Sequence, residues 1–133
     1  MTGLSNKVAV VTGGAAGIGA AVCRFLARDG ADIAIWDWNA DAARDLVHEI
    51  AAMGRKVVAC KVDVSRQHDI ESAVKAVHDQ LGPVGILVNN AAISPEKDFV
   101  DITPQDWDRV FDINTKGVFM CTQAVIDDMI TAR

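Results

Sequence analysis

Short apolar runs alternate along the chain with segments in which hydrophobic residues recur every three or four positions. The apolar runs are continuous and rich in β-branched residues, which is typical of strands buried on both faces of a sheet. Four such runs are present, at Val8 to Val11, Asp32 to Trp36, Val57 to Val62 and Ile86 to Val88. Alternating strands and helices favour right-handed crossovers between parallel strands. The pattern therefore predicts a doubly wound α/β domain, with helices on both faces of a parallel sheet.

The helical segments carry apolar stripes that are expected to face the sheet. In the first segment, which Gly30 ends, the stripe consists of Ile18, Val22, Phe25 and Leu26. The last segment begins at Thr103-Pro104, an N-cap residue followed by proline at the first helical position. It is predicted to run to about Met129, with a stripe of Trp107, Phe111, Asn114, Val118, Val125 and Met129.

Length and composition narrow the class of protein. At 133 residues, we expect a single domain over 1–133, and a hydrophobic share of 50% argues against disorder. The net charge of −5 disfavours a nucleic-acid partner, and no apolar run reaches the roughly 18 residues of a membrane span. Three cysteines without a CxxC pair are typical of the reducing cytoplasm. The sequence predicts a cytoplasmic protein with no membrane, nucleic-acid or metal partner.

A glycine-rich segment lies between the first predicted strand and the first helix, with the sequence Thr12-Gly13-Gly14-Ala15-Ala16-Gly17-Ile18-Gly19. In a dinucleotide-binding loop, Gly13 permits the tight turn, Gly17 lets a pyrophosphate approach the backbone, and Gly19 lets the helix pack on the sheet. The N–H groups and the dipole of the helix N-terminus favour phosphates. The alternative is a plain tight turn. The position of the glycine-rich segment between a predicted strand and a predicted helix favours phosphate binding.

An acidic residue, Asp37, follows the second predicted strand. A carboxylate there can accept hydrogen bonds from both hydroxyls of an adenosine ribose, and it repels a 2′-phosphate. The glycine loop contains no Lys or Arg, and none follows Asp37 directly. The alternative is a solvated, helix-capping aspartate. The acid and the glycine loop together predict NAD as the cofactor, with NADP less expected.

Four motifs in order resemble those of the classical short-chain dehydrogenase/reductase family. TGGAAGIG (Thr12–Gly19) resembles its TGxxxGxG fingerprint, and Asp63-Val64 is similar to its adenine-contacting pair. Asn89-Asn90-Ala91-Ala92 resembles its NNAG motif, with Ala92 in place of the usual glycine. Asn114 stands where the family has its helix asparagine. The resemblance covers the chain from Lys7 to Arg133.

The resemblance implies a Rossmann-like fold with four strands of the family's sheet, and an oxidoreductase that acts on an alcohol/ketone pair. Trp38 is a candidate cover for one side of the adenine, although an ordinary core or surface tryptophan is equally compatible with its position. The implied cofactor-binding residues are Gly13, Gly17, Ile18, Gly19, Asp37, Trp38, Asp63, Val64, Asn90, Ala91 and Ala92.

Asn114 is a polar residue on an apolar stripe, where an amide must be hydrogen-bonded to be tolerated. One interpretation is structural, with the amide satisfied by nearby backbone. The resemblance implies a catalytic role, in which this asparagine holds a water of a proton relay. Both interpretations remain open and are compatible.

The family's remaining catalytic groups, a serine and a YxxxK pair, have no counterpart in this sequence, which contains no tyrosine. We therefore expect the chain to be the N-terminal, cofactor-binding part of such an enzyme, inactive by itself. The complete protein is expected to form a homo-oligomer, since the last helix takes part in subunit contacts in the family. The alternatives are a non-catalytic dinucleotide-binding module and an inactive fragment.

Overall fold

The computed structural model describes residues 3–132, and within that range it contains one parallel sheet of four strands. The strands are β1 (Val8–Thr12), β2 (Asp32–Asp37), β3 (Val57–Lys61) and β4 (Ile86–Val88), in the spatial order β3-β2-β1-β4. The helices are α1 (Gly17–Arg28), α2 (Arg44–Ala52), α3 (Gln67–Gln80), α4 (Pro104–Phe111) and α5 (Gly117–Thr131). The predicted doubly wound, Rossmann-like fold is confirmed.

The sheet separates two hydrophobic cores. Alternate residues of β1 point to opposite faces, so that Ala9 and Val11 belong to one core and Val8 and Val10 to the other. The first core also receives residues of α1 and α2, and the second receives residues of α3 and α5. Strand β1 is buried throughout because it has strands on both sides and helices on both faces.

Helix α1 packs on the sheet with only part of the predicted stripe, since Val22 and Leu26 are half-buried against the core and the other two members are not. Ile18 and Phe25 are 77% and 67% exposed, whereas Ala20, Cys23 and Ala27 are buried. Small residues allow the helix axis to lie close to the strands, and the larger side chains then point outward. The apolar periodicity thus predicted the helix correctly, together with two of the four residues of its packed stripe.

The stripe predicted for the last helix is also wrong in three of its six members. The helix is continuous, but a wide π-helical turn at Asp112–Lys116 separates α4 from α5. Such a turn holds an extra residue, which rotates the stripe before it relative to the stripe after it. The buried residues of this segment are Ile113, Gly117, Cys121 and Val125, while Trp107, Phe111 and Val118 are exposed.

The start of α4 agrees with the sequence-based prediction. Thr103 is the N-cap, its hydroxyl accepts from the N–H of Asp106, and the Asp106 carboxylate accepts from the N–H of Thr103. The Lys97 ammonium donates to the same carboxylate at 2.7 Å. These hydrogen bonds, with that of Lys97 the strongest influence, lower the pKa of Asp106 to about 2. No helix in the described part of the chain is long and apolar enough to cross a membrane.

Candidate functional site

A cleft of about 390 Å³ opens at the carboxyl ends of the strands. This is the position at which open α/β sheets bind ligands, beside the point where the strand order reverses between β1 and β4. Its lining residues are Gly13, Asp37, Trp38, Val62, Asp63, Val64, Asn90, Ala91, Ala92, Ile93, Arg109 and Ile113. Eight of these are among the site residues predicted from the sequence.

The glycine loop has the geometry that its sequence predicted. Gly13 has a φ of +63°, and a Cβ added to it would lie 2.9 Å from the Asn90 side-chain nitrogen. Gly17 has a φ of +54° and faces open space, and a Cβ on Gly19 would collide with the Gly13 carbonyl oxygen. The N-cap of α1, Ala16, has no capping side chain. The first N–H groups of α1 are therefore left for water or an anionic ligand.

Two polar side chains tie the end of β1 to the segment that follows β4. The Thr12 hydroxyl oxygen accepts from the N–H groups of Asn90 and Ala91 at 3.0 and 2.9 Å. The Asn90 side-chain amide donates to the carbonyls of Thr12 and Gly13 at 3.0 and 3.1 Å. Thr12 is 2% exposed and was not predicted as a site residue. Its signal in the sequence is a hydroxyl at the end of an apolar strand, directly before the glycine loop.

Asp37 lies against the glycine loop. One of its carboxylate oxygens accepts from the N–H of Ala15 at 3.1 Å, and the other accepts from the N–H of Asn39 at 3.0 Å. A carboxylate oxygen can accept about two hydrogen bonds, so each retains capacity for a ligand hydroxyl. Trp38, the next residue, lines the cleft and is 73% exposed.

Asp63 follows β3 and is held by the turn that it begins. One carboxylate oxygen accepts from both the hydroxyl and the N–H of Ser65, at 2.6 and 3.0 Å. Burial alone would raise the pKa of Asp63, but the Ser65 hydrogen bonds and the positive charges of Arg109 and Arg66 outweigh it and lower the pKa. The carboxylate is therefore ionised at neutral pH.

Arg109 and Ile113 were not predicted as site residues. They lie one helical turn apart on α4 and in the π turn, and the fold brings both to the cleft. The path of the chain between β4 and α4 decides which residues of this helix reach the cleft. The four-residue spacing of Arg109 and Ile113 in the sequence does not by itself identify either as a site residue.

Asn114 does not line the cleft, but its side chain binds the backbone of a residue that does. Its amide oxygen accepts from the N–H of Ile93 at 2.8 Å, and its amide nitrogen donates to the Ile93 carbonyl at 2.8 Å. The interpretation of a structural asparagine satisfied by backbone is confirmed. Ile18, Gly17 and Gly19 belong to the neighbouring glycine loop and are not part of the cleft lining.

The cysteines show no sign of nucleophilic activation. Burial raises the pKa of both Cys23 and Cys121 to about 12, and it raises the pKa of Cys60 as well. Within residues 3–132, no three His, Cys, Asp or Glu side chains are grouped as metal ligands would be. The described residues therefore show neither an activated thiol nor a metal-ligand cluster.

The fold and the cleft define a Rossmann-type domain with the glycine loop of dinucleotide-binding proteins. A family model described as short chain dehydrogenase matches residues 7–133, and the chain belongs to this family. The family binds a nicotinamide dinucleotide and acts on small molecules.

Among relatives, the chain is 41% identical over 127 residues to glycine betaine reductase ATRR of Emericella nidulans, covering 96% of this chain and 10% of that protein. It is 37% identical over 129 residues to the 3-oxoacyl-[acyl-carrier-protein] reductase FabG of Staphylococcus epidermidis, covering 96% and 53%. A solved short-chain dehydrogenase from Burkholderia cenocepacia, in complex with NADP, matches with a TM-score of 0.88 and 38% identity, covering 93% of this chain and 51% of that one. The chain thus spans about half the length of the latter two proteins.

Proposed function

We propose that this chain is the cofactor-binding part of an NAD(H)-dependent oxidoreductase that interconverts an alcohol and a ketone. The main support for this proposal is the Asp37 carboxylate, which lies beside the glycine loop at the carboxyl end of β2. When bound, the nicotinamide ring would supply a hydride acceptor or donor. The protein's part is to hold, orient and shield the two ends of the dinucleotide.

Each part of the cleft has a proposed role. The backbone around Gly17 and the N-terminus of α1 would receive the pyrophosphate, and Asp37 would accept from the ribose hydroxyls. The base would lie near Asp63, Val64 and Trp38. The segment Asn90 to Ala92 would border the nicotinamide half, and the exposed methyl group of Ala92 narrows the cleft there relative to glycine.

The preference for NAD over NADP is supported by charge. A 2′-phosphate would add about two negative charges next to the Asp37 carboxylate. Asp37 has no ion-pair partner among residues 3–132 that would neutralise it. The NADP complex described above is a property of that relative. Titrating NAD⁺ and NADP⁺ into the complete natural polypeptide by calorimetry tests the preference, and equal or tighter NADP⁺ binding would refute it.

Asn114 is proposed to act through its position in the π turn, because its amide is already oriented by one hydrogen bond to Ile93 at each end. Turns of the π type are frequent at functional sites. A backbone carbonyl of Asp112–Lys116 is the proposed holder of a water in the proton relay. The relay's acid would come from outside this chain, which has no tyrosine.

Subunit contacts are proposed for α4 and α5. Their exposed side chains include Trp107, Phe111, Val118 and Phe119, which are 60%, 46%, 39% and 60% exposed. An apolar surface of this kind is typical of an interface. Light scattering during size-exclusion chromatography of the complete protein should give a dimer or tetramer, and a monomer at micromolar concentration would contradict this.

The second candidate function is a dinucleotide-binding module without catalysis, for which the glycine loop and the cleft would be sufficient. The natural open reading frame decides between the two proposals. Continuation into a serine and a YxxxK segment supports the enzyme, whereas a stop codon after Arg133 supports the module. The cytoplasm, where the three thiols stay reduced, is the proposed location.

A further inference from the structure

Arg109 and Trp38 line the same cleft from different elements of the fold. Trp38 follows β2 and precedes α2, which packs on one face of the sheet, whereas Arg109 belongs to α4, which continues into α5 on the other face. Both residues line the same cleft, and Asp63 and Val64 lie in the lining with them. The end of the cleft next to β3 is thus bordered by an indole and a guanidinium carried on different elements.

The Arg109 guanidinium has no direct hydrogen-bond or ion-pair partner within the described part of the chain. No hydrogen bond or ion pair to another residue of 3–132 is made by its guanidinium, in contrast to Arg24, which binds Glu49 at 2.8 Å. Arg109 is nevertheless close enough to Asp63 to lower the pKa of that carboxyl. An exposed, unpaired guanidinium at the wall of a cleft is available to a ligand.

The Trp38 ring is unpartnered in a similar way. The one aromatic pair within residues 3–132 is Trp107 with Phe111, stacked at 4.6 Å on the surface of α4. An indole ring and a planar guanidinium can both stack on a purine base. Asp63, which lines the same cleft, accepts hydrogen bonds and cannot itself stack.

We propose that Arg109 is a base-contacting residue whose planar guanidinium covers one face of the adenine while Trp38 covers the other. This inference rests on the proposed dinucleotide site. Helix α4 would then contribute to cofactor affinity. The contact of Arg109 with the adenine would depend on the planar shape of the guanidinium as well as on its charge. The competing possibility, that Arg109 receives a 2′-phosphate, gives a different experimental outcome.

The test uses the complete protein and isothermal titration calorimetry with NAD⁺, NADP⁺, ADP-ribose and nicotinamide mononucleotide. We expect Arg109→Met to raise the Kd of NAD⁺ and ADP-ribose about fivefold or more, by the strength of one cation–π contact. Arg109→Lys, which keeps the charge and loses the plane, should recover less than half of that loss in free energy. Binding of the mononucleotide, which has no adenine, should not change.

Arg66→Met is the matched control. Arg66 is exposed, also lowers the pKa of Asp63, and is absent from the cleft lining, so its removal tests the electrostatic effect alone. The inference predicts that this variant binds NAD⁺ within twofold of the wild type. Circular dichroism confirms that each variant is folded.

The remaining outcomes overturn the inference. Equal losses of NAD⁺ affinity in Arg66→Met and Arg109→Met would show a general charge effect. Full recovery of affinity in Arg109→Lys would show that the planar shape of the guanidinium is irrelevant. A loss of affinity confined to NADP⁺ would show a phosphate contact. Unchanged NAD⁺ binding in Arg109→Met would refute it while leaving the proposed function intact. If the folded wild type binds neither dinucleotide nor ADP-ribose, the proposed function fails first and the inference with it.

Discussion

The side-chain amide of Asn114 pairs with both main-chain polar groups of Ile93, as a neighbouring β-strand would, with N···O distances of 2.8 Å in each direction. This pair fixes the π turn to the segment that follows β4. Because Ile93 lines the cleft, the pair also sets the distance between the helix and the cleft wall. A residue outside the cleft therefore determines part of its shape.

Replacing Asn114 with alanine should lower the free energy of unfolding by about 1–3 kcal/mol, because the N–H and C=O of Ile93 would lose their partners in a half-buried place. Urea denaturation of the complete protein measures this. Asn89→Ala is the control, since the exposed Asn89 makes one hydrogen bond, to Thr122 at 3.2 Å, and should change stability by less than about 0.5 kcal/mol. Equal effects of the two substitutions would contradict the assigned importance of the Ile93 contact.

Asp37→Ala should weaken NAD⁺ binding about tenfold or more and narrow the difference between NAD⁺ and NADP⁺, because the variant loses the acceptor for the ribose hydroxyls and the charge that repels a phosphate. Calorimetric titration of both cofactors gives the ratio. Asp41, exposed in the turn beyond Asn39, supplies the control Asp41→Ala, which should keep the wild-type ratio. An unchanged ratio in Asp37→Ala would remove the basis for the proposed cofactor preference.

Gly17 and Gly54 form a matched pair for testing the loop. Both have positive φ, of 54° and 80°, and a Cβ on either would meet no atom of residues 3–132 within 4 Å. Alanine in the left-handed region costs about 1–2 kcal/mol, so Gly17→Ala and Gly54→Ala should destabilise the fold similarly. Only Gly17→Ala should weaken NAD⁺ binding, since its methyl group would occupy space proposed for the pyrophosphate. Comparable loss of binding in both variants would count against that location.

The acid sensitivity of the fold should depend in part on Asp128. Burial would raise its pKa, but hydrogen bonds from the Val84 N–H at 2.8 Å and from His78 at 2.7 Å, with the charge of His78, outweigh burial and lower it. A lowered pKa in the folded state stabilises the fold above the unfolded value near 3.8, and this contribution is lost as the pH falls through the folded value. Asp128→Asn should therefore destabilise more at pH 6 than at pH 2.5 in urea denaturation. A difference independent of pH would contradict the assignment.

The 133-residue polypeptide expressed by itself should not turn over an alcohol or ketone with either cofactor, because it has no tyrosine to exchange the proton. Absorbance at 340 nm with a panel of secondary alcohols and ketones measures this. Cofactor turnover by a preparation free of contaminating dehydrogenases would show a proton donor of another kind.

The 133-residue polypeptide should also self-associate, since β4 is an edge strand of the sheet and carries neither Lys nor Pro.

Local features of the sequence determined the elements and the glycine loop. The four strands lie within one residue of the predicted limits at each end, because β-branched apolar runs and terminal glycines act over a few residues. The positive φ of Gly13 and Gly17 and the Thr103 cap follow from equally short-range rules. The motifs that resemble the family indicated Asp63 and Asn90 as site residues. Short-range sequence rules for strands, turns and helix caps would not have placed either residue in a cleft.

Tertiary structure alone decided which helix faces are buried and which distant residues meet. The buried face of α1 depends on how closely the helix lies against the sheet, and the π turn at Asp112–Lys116 rotates the stripe of α4 relative to α5. Likewise, Arg109 reaches the cleft, and Asn114 reaches Ile93, only because of the path that the chain takes after β4. Apolar periodicity specifies that a helix has a buried face, whereas packing contacts between residues far apart in the chain fix its rotation and register.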